Sequence, residues 1–133
     1  MVLDSYALLA FFRGEACAAP VREALREAAR AGRSLLMTEA NYAEVQYMIR
    51  RKDGPSRWAA AAEALAALPI AFEPVDRPLA DRAAELKARY AISLADAFAA
   101  ALAQLRKAEL MTGDPEFKAL EKELLIRWLP VAG

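Results

Sequence analysis

Met1-Val2-Leu3-Asp4-Ser5 runs directly into Tyr6-Ala7-Leu8-Leu9-Ala10-Phe11-Phe12-Arg13-Gly14. A very short apolar run ends in an acid, and a helical pattern closed by a glycine follows at once. The pair reads as a buried strand that delivers a carboxylate to the tip of a sheet. In open α/β sheets, ligands and metals collect outside the carboxyl ends of the strands, which makes Asp4 a candidate for chemistry. Asp is also a preferred helix N-cap, so a purely structural role stands beside the chemical one.

Working outward, the same grammar recurs. Pro20 to Ala31 carries Val21, Ala24, Leu25 and Ala28 at helical spacing among charged residues and stops at Gly32. Ser34 to Thr38 is a second short apolar run, and Glu39 to Lys52 is helical until Asp53-Gly54-Pro55 breaks it. An alanine-rich helix over Ser56 to Leu68 stops at Pro69, and Ile70 to Val75 forms a third strand that Pro74 confines to an edge or ends. Asp76 to Tyr90 and Ser93 to Ala108 are helices, the second apolar enough to be largely buried. Glu109 to Asp114 repeats the apolar run, turn and acid of the N-terminus; a short helix over Pro115 to Leu120 and a last strand over Leu124 to Leu129 complete the chain. Strands alternating with helices through short connections predict an α/β fold, a mostly parallel sheet covered by helices on both faces as a three-layer α/β/α sandwich.

The composition limits the chemistry. A chain of 133 residues suits one domain spanning 1–133, and 57% hydrophobic with 27% charged residues fits a globular interior under a charged surface. No apolar run approaches the roughly 20 residues of a membrane helix, and no secretory leader pattern opens the chain, so the expected location is the cytoplasm. There is no histidine and a single cysteine, Cys17, which removes His-based general bases and the usual Cys/His zinc sites. Eighteen basic and 18 acidic residues balance to a net charge of zero, so no global field draws the chain to nucleic acid. Carboxylates, hydroxyls, lysines and a hard cation are the chemistry that remains.

Four acids stand out. Glu44 lies within a helix, and its neighbours at three and four residues, Ala40, Asn41, Tyr47 and Met48, offer no base. Such a carboxylate is costly to bury without a metal or hydrogen bonds, although solvent exposure explains it equally simply. Asp96 follows Ser93-Leu94-Ala95 in a pattern close to a capping box and also lacks a basic helical neighbour. Asp114 in Asp-Pro-Glu-Phe is an ordinary helix start, yet it sits just past a strand end as Asp4 does. Carboxylates brought together at strand ends and helix starts repel unless a divalent cation neutralises them. All-oxygen ligands suit Mg²⁺ or Mn²⁺, and such a site can activate water for displacement at phosphorus.

The segments Met1 to Leu9, Asn41-Tyr42-Ala43-Glu44-Val45, Ser93-Leu94-Ala95-Asp96-Ala97 and Thr112-Gly113-Asp114-Pro115-Glu116-Phe117 resemble, in order and spacing, the motifs of PIN-domain ribonucleases of the VapC toxin type. The similarity runs from Met1 to about Leu129. It implies a Mg²⁺- or Mn²⁺-dependent endoribonuclease, the toxin of a toxin–antitoxin pair, whose partners are RNA, a cognate antitoxin and a second copy in a homodimer. Carried across by motif, Asp4, Glu44, Asp96 and Asp114 become the catalytic metal-binding acids, with Asp114 the more peripheral, and Ser5 and Thr112 supporting hydroxyls. Family members often have a small hydroxyl residue where this chain has Tyr6, which bears on the mouth of the pocket.

Under this reading Arg13, Arg50, Arg51 and Lys52 are candidates for the RNA backbone; a solvated charged face explains them as well. Tyr42, Tyr47 and Trp58 could stack on bases, with core packing expected for the two tyrosines. Phe11, Phe12 and Trp58 could form antitoxin-binding surface, or belong to the core. Two other functions remain open: a PIN-like scaffold that binds protein or RNA without cutting, and an aspartate-dependent phosphatase, which favours a second acid where Tyr6 stands.

Overall fold

Short strands form where β-branched or long apolar residues lie between helix stops and helix caps, and each is followed by a residue able to start the next helix. The computed structural model describes residues 1–131. In chain order these are β1 (Val2–Leu3), α1 (Ser5–Phe12), a 3-10 turn (Ala16–Ala18), α2 (Ala19–Ala31), β2 (Leu35–Thr38), α3 (Glu39–Asp53) and α4 (Pro55–Ala66). There follow β3 (Ile70–Glu73), α5 (Arg77–Arg89), α6 (Leu94–Arg106), β4 (Leu110–Thr112), a short 3-10 helix (Pro115–Leu120) and β5 (Ile126–Trp128).

The strands form one five-stranded sheet in the order β3-β2-β1-β4-β5, parallel in every pairing, with Val2 opposite both Leu36 and Leu110. β3 is an edge strand and ends at Glu73, directly before Pro74, which has no N–H for another ladder bond. Alternation along the strands splits the core in two. Val2, Leu36, Leu110 and Ile126 face α5 and α6, packing with Leu79, Ala83, Leu86 and the alanines of α6. Leu3, Leu35, Met37 and Met111 face the other way, onto α1 to α4 through Ala7, Leu8, Leu25, Val45 and Trp58. The result is the three-layer α/β/α sandwich expected from the alternation of strands and helices.

Helix starts follow side-chain chemistry closely. Asp4, Thr38, Asp76, Ser93 and Asp114 each accept a backbone N–H in the first turn that follows them. The sixth helix ends at Arg106, two residues before the Ala108 expected from composition. Lys107 takes a left-handed conformation (φ 50°) that closes it. Among the described residues no helix is long and apolar enough to cross a membrane.

Candidate functional site

The chain leaves β1 for β2 on one side of the sheet, and β4 returns on the other side of β1. The strand order therefore reverses between β1 and β4, and a crevice opens at their carboxyl ends, the usual place for ligands in such sheets. Asp4 ends β1, and Thr112 and Asp114 end β4.

Asp4 is 1% exposed and both of its oxygens are engaged. Oδ1 accepts the Ala7 N–H at 2.9 Å, capping α1, and Oδ2 accepts the Thr112 hydroxyl at 2.5 Å. The Thr112 Oγ1 in turn accepts the Asp114 N–H at 3.0 Å, and Asp114 accepts the Glu116 N–H. Burial pushes the Asp4 carboxyl up to about 7; the Thr112 and Ala7 bonds oppose that, and the charges of Asp114 and Glu44 add to it.

Asp96 sits in the first turn of α6, its N–H donated to the Ser93 Oγ at 3.1 Å, and is 6% exposed. Its Oδ2 is buried and has no hydrogen-bond partner among the described residues. Burial first, then the neighbouring Glu116 carboxyl and the charges of Asp114 and Asp4, push its carboxyl up to about 8. Carboxylate oxygens of Asp96, Asp114 and Glu116 lie within 4.8 Å of one another. No base relieves the crowding. The ion pairs among the described residues engage other acids and leave Asp4, Glu44, Asp96, Asp114 and Glu116 alone. A buried, orphaned carboxylate oxygen beside two further carboxylates is the donor set of a hard divalent cation, and the residues present fit one.

Glu44 projects from the second turn of α3 and is half-buried. Its charge adds to the upward push on Asp4, but it is not among the carboxylates that lie within 4.8 Å of one another. Of the four acids singled out from the sequence, Asp96 and Asp114 lie together, and Asp4 is joined to Asp114 through Thr112; the two hydroxyls stand at the start of α1, Ser5, and the end of β4, Thr112. Two further residues belong with them. Glu116 is not among the acids singled out from the sequence: an acid in a helix's first turn is ordinary, and the one signal that could have marked it is its place two residues beyond Asp114. Asn41 is fully buried and joins three elements. Its Nδ2 donates to Ser5 Oγ at 3.0 Å and to the Ala95 carbonyl at 3.2 Å, while its Oδ1 accepts the Thr38 hydroxyl.

The basic candidates lie elsewhere. Arg13 and the run Arg50, Arg51 and Lys52 occupy the C-terminal ends of α1 and α3, the helices whose N-terminal parts carry Asp4, Ser5 and Glu44. Arg13 pairs with Asp53 at 3.8 Å, the Arg50 guanidinium lies 5.9 Å from the Trp58 ring, and Arg51 lies 5.3 Å from the Tyr47 ring. Trp58 is core, packed edge-on against Tyr42, which also meets Phe72. Tyr47 departs from the core packing expected of it and is 47% exposed. An odd position on α3 that faces away from Val45 and Ile49 leaves its ring to Arg51 and solvent.

Several solved structures share this fold. A toxin–antitoxin complex from Klebsiella pneumoniae aligns at a TM-score of 0.68 and 22% identity, over 87% of this chain and 88% of that one. VapBC2 from Rickettsia felis, bound to a DNA fragment from its promoter, aligns at 0.77 and 14% identity over 97% and 98%. VapC20 from Mycobacterium tuberculosis, a sarcin-ricin loop cleaving toxin, aligns at 0.66 and 19% identity over 89% and 92%. A comparison with curated proteins found no match. The family model for the PIN domain matches residues 1–123, nearly the whole of the described chain and every acid of the crevice, and the chain belongs to the PIN domain family.

Proposed function

We propose that this protein is a divalent-metal-dependent endoribonuclease, using Mg²⁺ or Mn²⁺, and the toxin of a toxin–antitoxin pair. The observation that carries the reading is the unpartnered Oδ2 of Asp96, buried beside Asp114 and Glu116 and within the field of Asp4. Asp4, Glu44, Asp96, Asp114 and Glu116 would hold the cation. When bound, it supplies Lewis-acid activation of water and charge stabilisation at phosphorus. The protein supplies the placement. Asp4 is fixed through both oxygens, so it serves as an immobile acceptor rather than a mobile nucleophile. Asn41 holds Ser5 and the Ala95 carbonyl together, which sets α6 and its Asp96 against the start of α1. Glu44 is half-buried and without an ion partner, so its carboxylate is available to the cation or to a water bound there.

The partners follow from the same reading. A groove of about 420 Å³ lies on Phe11, Leu25 and Leu68 beside Arg22 and Arg26, with no acid in its lining. An apolar floor with a basic rim suits an amphipathic, acid-bearing antitoxin helix. Exposed Leu94, Leu105 and Leu125 offer surface to a second copy in a homodimer. The deciding experiment is cleavage of a defined RNA with added Mn²⁺, with EDTA and Asp96→Asn as controls. Cleavage that stops in both controls is the expected result. Cleavage that persists in either overturns the mechanism, and an isothermal titration without Mn²⁺ binding favours a non-cutting scaffold.

A further inference from the structure

Resting on the metal-centre reading, we infer that Tyr6 is a positioning residue: its ring, packed on Gly113, sets the turn that carries Asp114 and Glu116 to Asp96. Three of the described glycines, Gly14, Gly32 and Gly54, have positive φ and need no side chain for conformational reasons. Gly113 has no such need. A Cβ built there would lie 2.4 Å from Tyr6 Cε1 and 2.9 Å from Tyr6 Cζ, while a Cβ at each of the other three would meet nothing within 4 Å. The missing side chain at 113 is therefore accounted for by the ring that occupies its place.

The ring is itself held. Tyr6 is half-buried against the cluster of Leu3, Ala7, Met111 and Leu129, so it cannot swing away freely to admit a methyl group. Two contacts thus fasten the 112–114 turn to the first turn of α1. One is polar, the Thr112 hydroxyl on Asp4; the other is the Tyr6 ring against the bare backbone of Gly113. The turn so fixed begins the 3-10 helix in which Asp114 caps the Glu116 N–H, and these two acids complete the cluster with Asp96. A side chain that holds the ligands' turn in place in this way changes metal affinity without touching the metal.

The test is Mn²⁺ titration by calorimetry on the full chain, with thermal unfolding in EDTA to show that each variant folds. Tyr6→Ser and Gly113→Ala are each expected to weaken Mn²⁺ binding by about tenfold or more, whereas Tyr6→Phe, which keeps the ring, keeps the wild-type dissociation constant. The double variant Tyr6→Ser/Gly113→Ala should bind no more weakly than the worse single, because the added methyl then enters the space the ring vacated. Wild-type affinity in Tyr6→Ser, or penalties that simply add in the double variant, would overturn the inference and leave the metal centre standing. Absence of Mn²⁺ binding by the wild type overturns both.

Discussion

Asp96 is the residue on which most of the chemistry turns, and Glu116 is the one that changes the inventory of its partners. Glu116 is exposed, so Glu116→Gln should leave the fold unchanged. It should also weaken Mn²⁺ binding by about tenfold or more, since loss of even an outer-shell partner has that effect; calorimetry with a matched thermal melt checks it. Thr112→Val is expected to be worse than its size suggests. It removes the donor to Asp4 and the acceptor for the Asp114 N–H together, leaving two buried polar groups unpaired at about 1–3 kcal/mol each, measurable by denaturant unfolding. At this scale the sequence was readable where one residue type has few other uses. Four carboxylates at strand ends and helix starts, with no histidine to share the work, pointed to a hard cation before any geometry was known. Glu116, Asn41 and Gly113 stayed hidden because each had a sufficient local explanation: a first-turn acid, a polar helix residue, a turn glycine. Their roles depend on neighbours distant in sequence, 36 residues away for the Asn41 bond to Ser5 and 54 for its bond to Ala95.

Elements tell a different story, because their boundaries are set by chemistry that lies within a few residues. Caps at Asp4, Thr38, Asp76 and Ser93 and the stop at Gly32 are local signals, and the observed strands and helices follow them. The register of helices across the sheet is not local, and the buried Asn41 is what enforces it between α1, α3 and α6. Asn41→Ala removes the side-chain bonds to Ser5 Oγ, Thr38 Oγ1 and the Ala95 carbonyl while its backbone still bonds both hydroxyls, and is expected to destabilise the protein by about 1–3 kcal/mol and to lower cleavage as well. Urea unfolding and an RNA assay on the same preparation test this. A loss of stability with cleavage unimpaired would separate α6 placement from catalysis. The arginine cluster shows what periodicity cannot convey. Arg50, Arg51 and Lys52, candidates for the RNA backbone by charge alone, lie at the C-terminal end of α3, and the rise of an α-helix, about 1.5 Å per residue, separates them from Glu44, with Arg50 over Trp58 and Arg51 over Tyr47.

For the molecule as a whole, the buried acids make stability a function of pH. A carboxyl with a higher pKa folded than unfolded binds more protons when folded, so stability falls as pH climbs between the two values. For Asp4 the interval runs from 3.8 to about 7 and for Asp96 from 3.8 to about 8. The metal-free protein is therefore expected to be less stable near pH 8 than near pH 5, by an amount on the order of several kcal/mol for the two groups together, and to melt at a lower temperature there. Asp96→Asn should flatten the profile, and Mn²⁺ should raise the wild-type Tm more at the higher pH, where its ligands are already deprotonated. A Tm that rises with pH in EDTA would contradict the assignment of these shifts to burial. The layers that bury those acids owe their spacing to the smallest side chain able to form a helix. Ala97, Ala99, Ala100, Ala101 and Ala103 of α6 are all 1% exposed or less, and they let the helix axis settle close over β1, β2 and β4. Bulk added there cannot be absorbed by a close-packed interior, so it must lift the helix and Asp96 with it. A random-mutagenesis screen for folded protein that no longer cuts RNA should accordingly return Ala→Val and Ala→Thr changes in α6 beside changes in the acids themselves, so that the heritable record of catalysis extends to methyl groups that meet neither metal nor substrate.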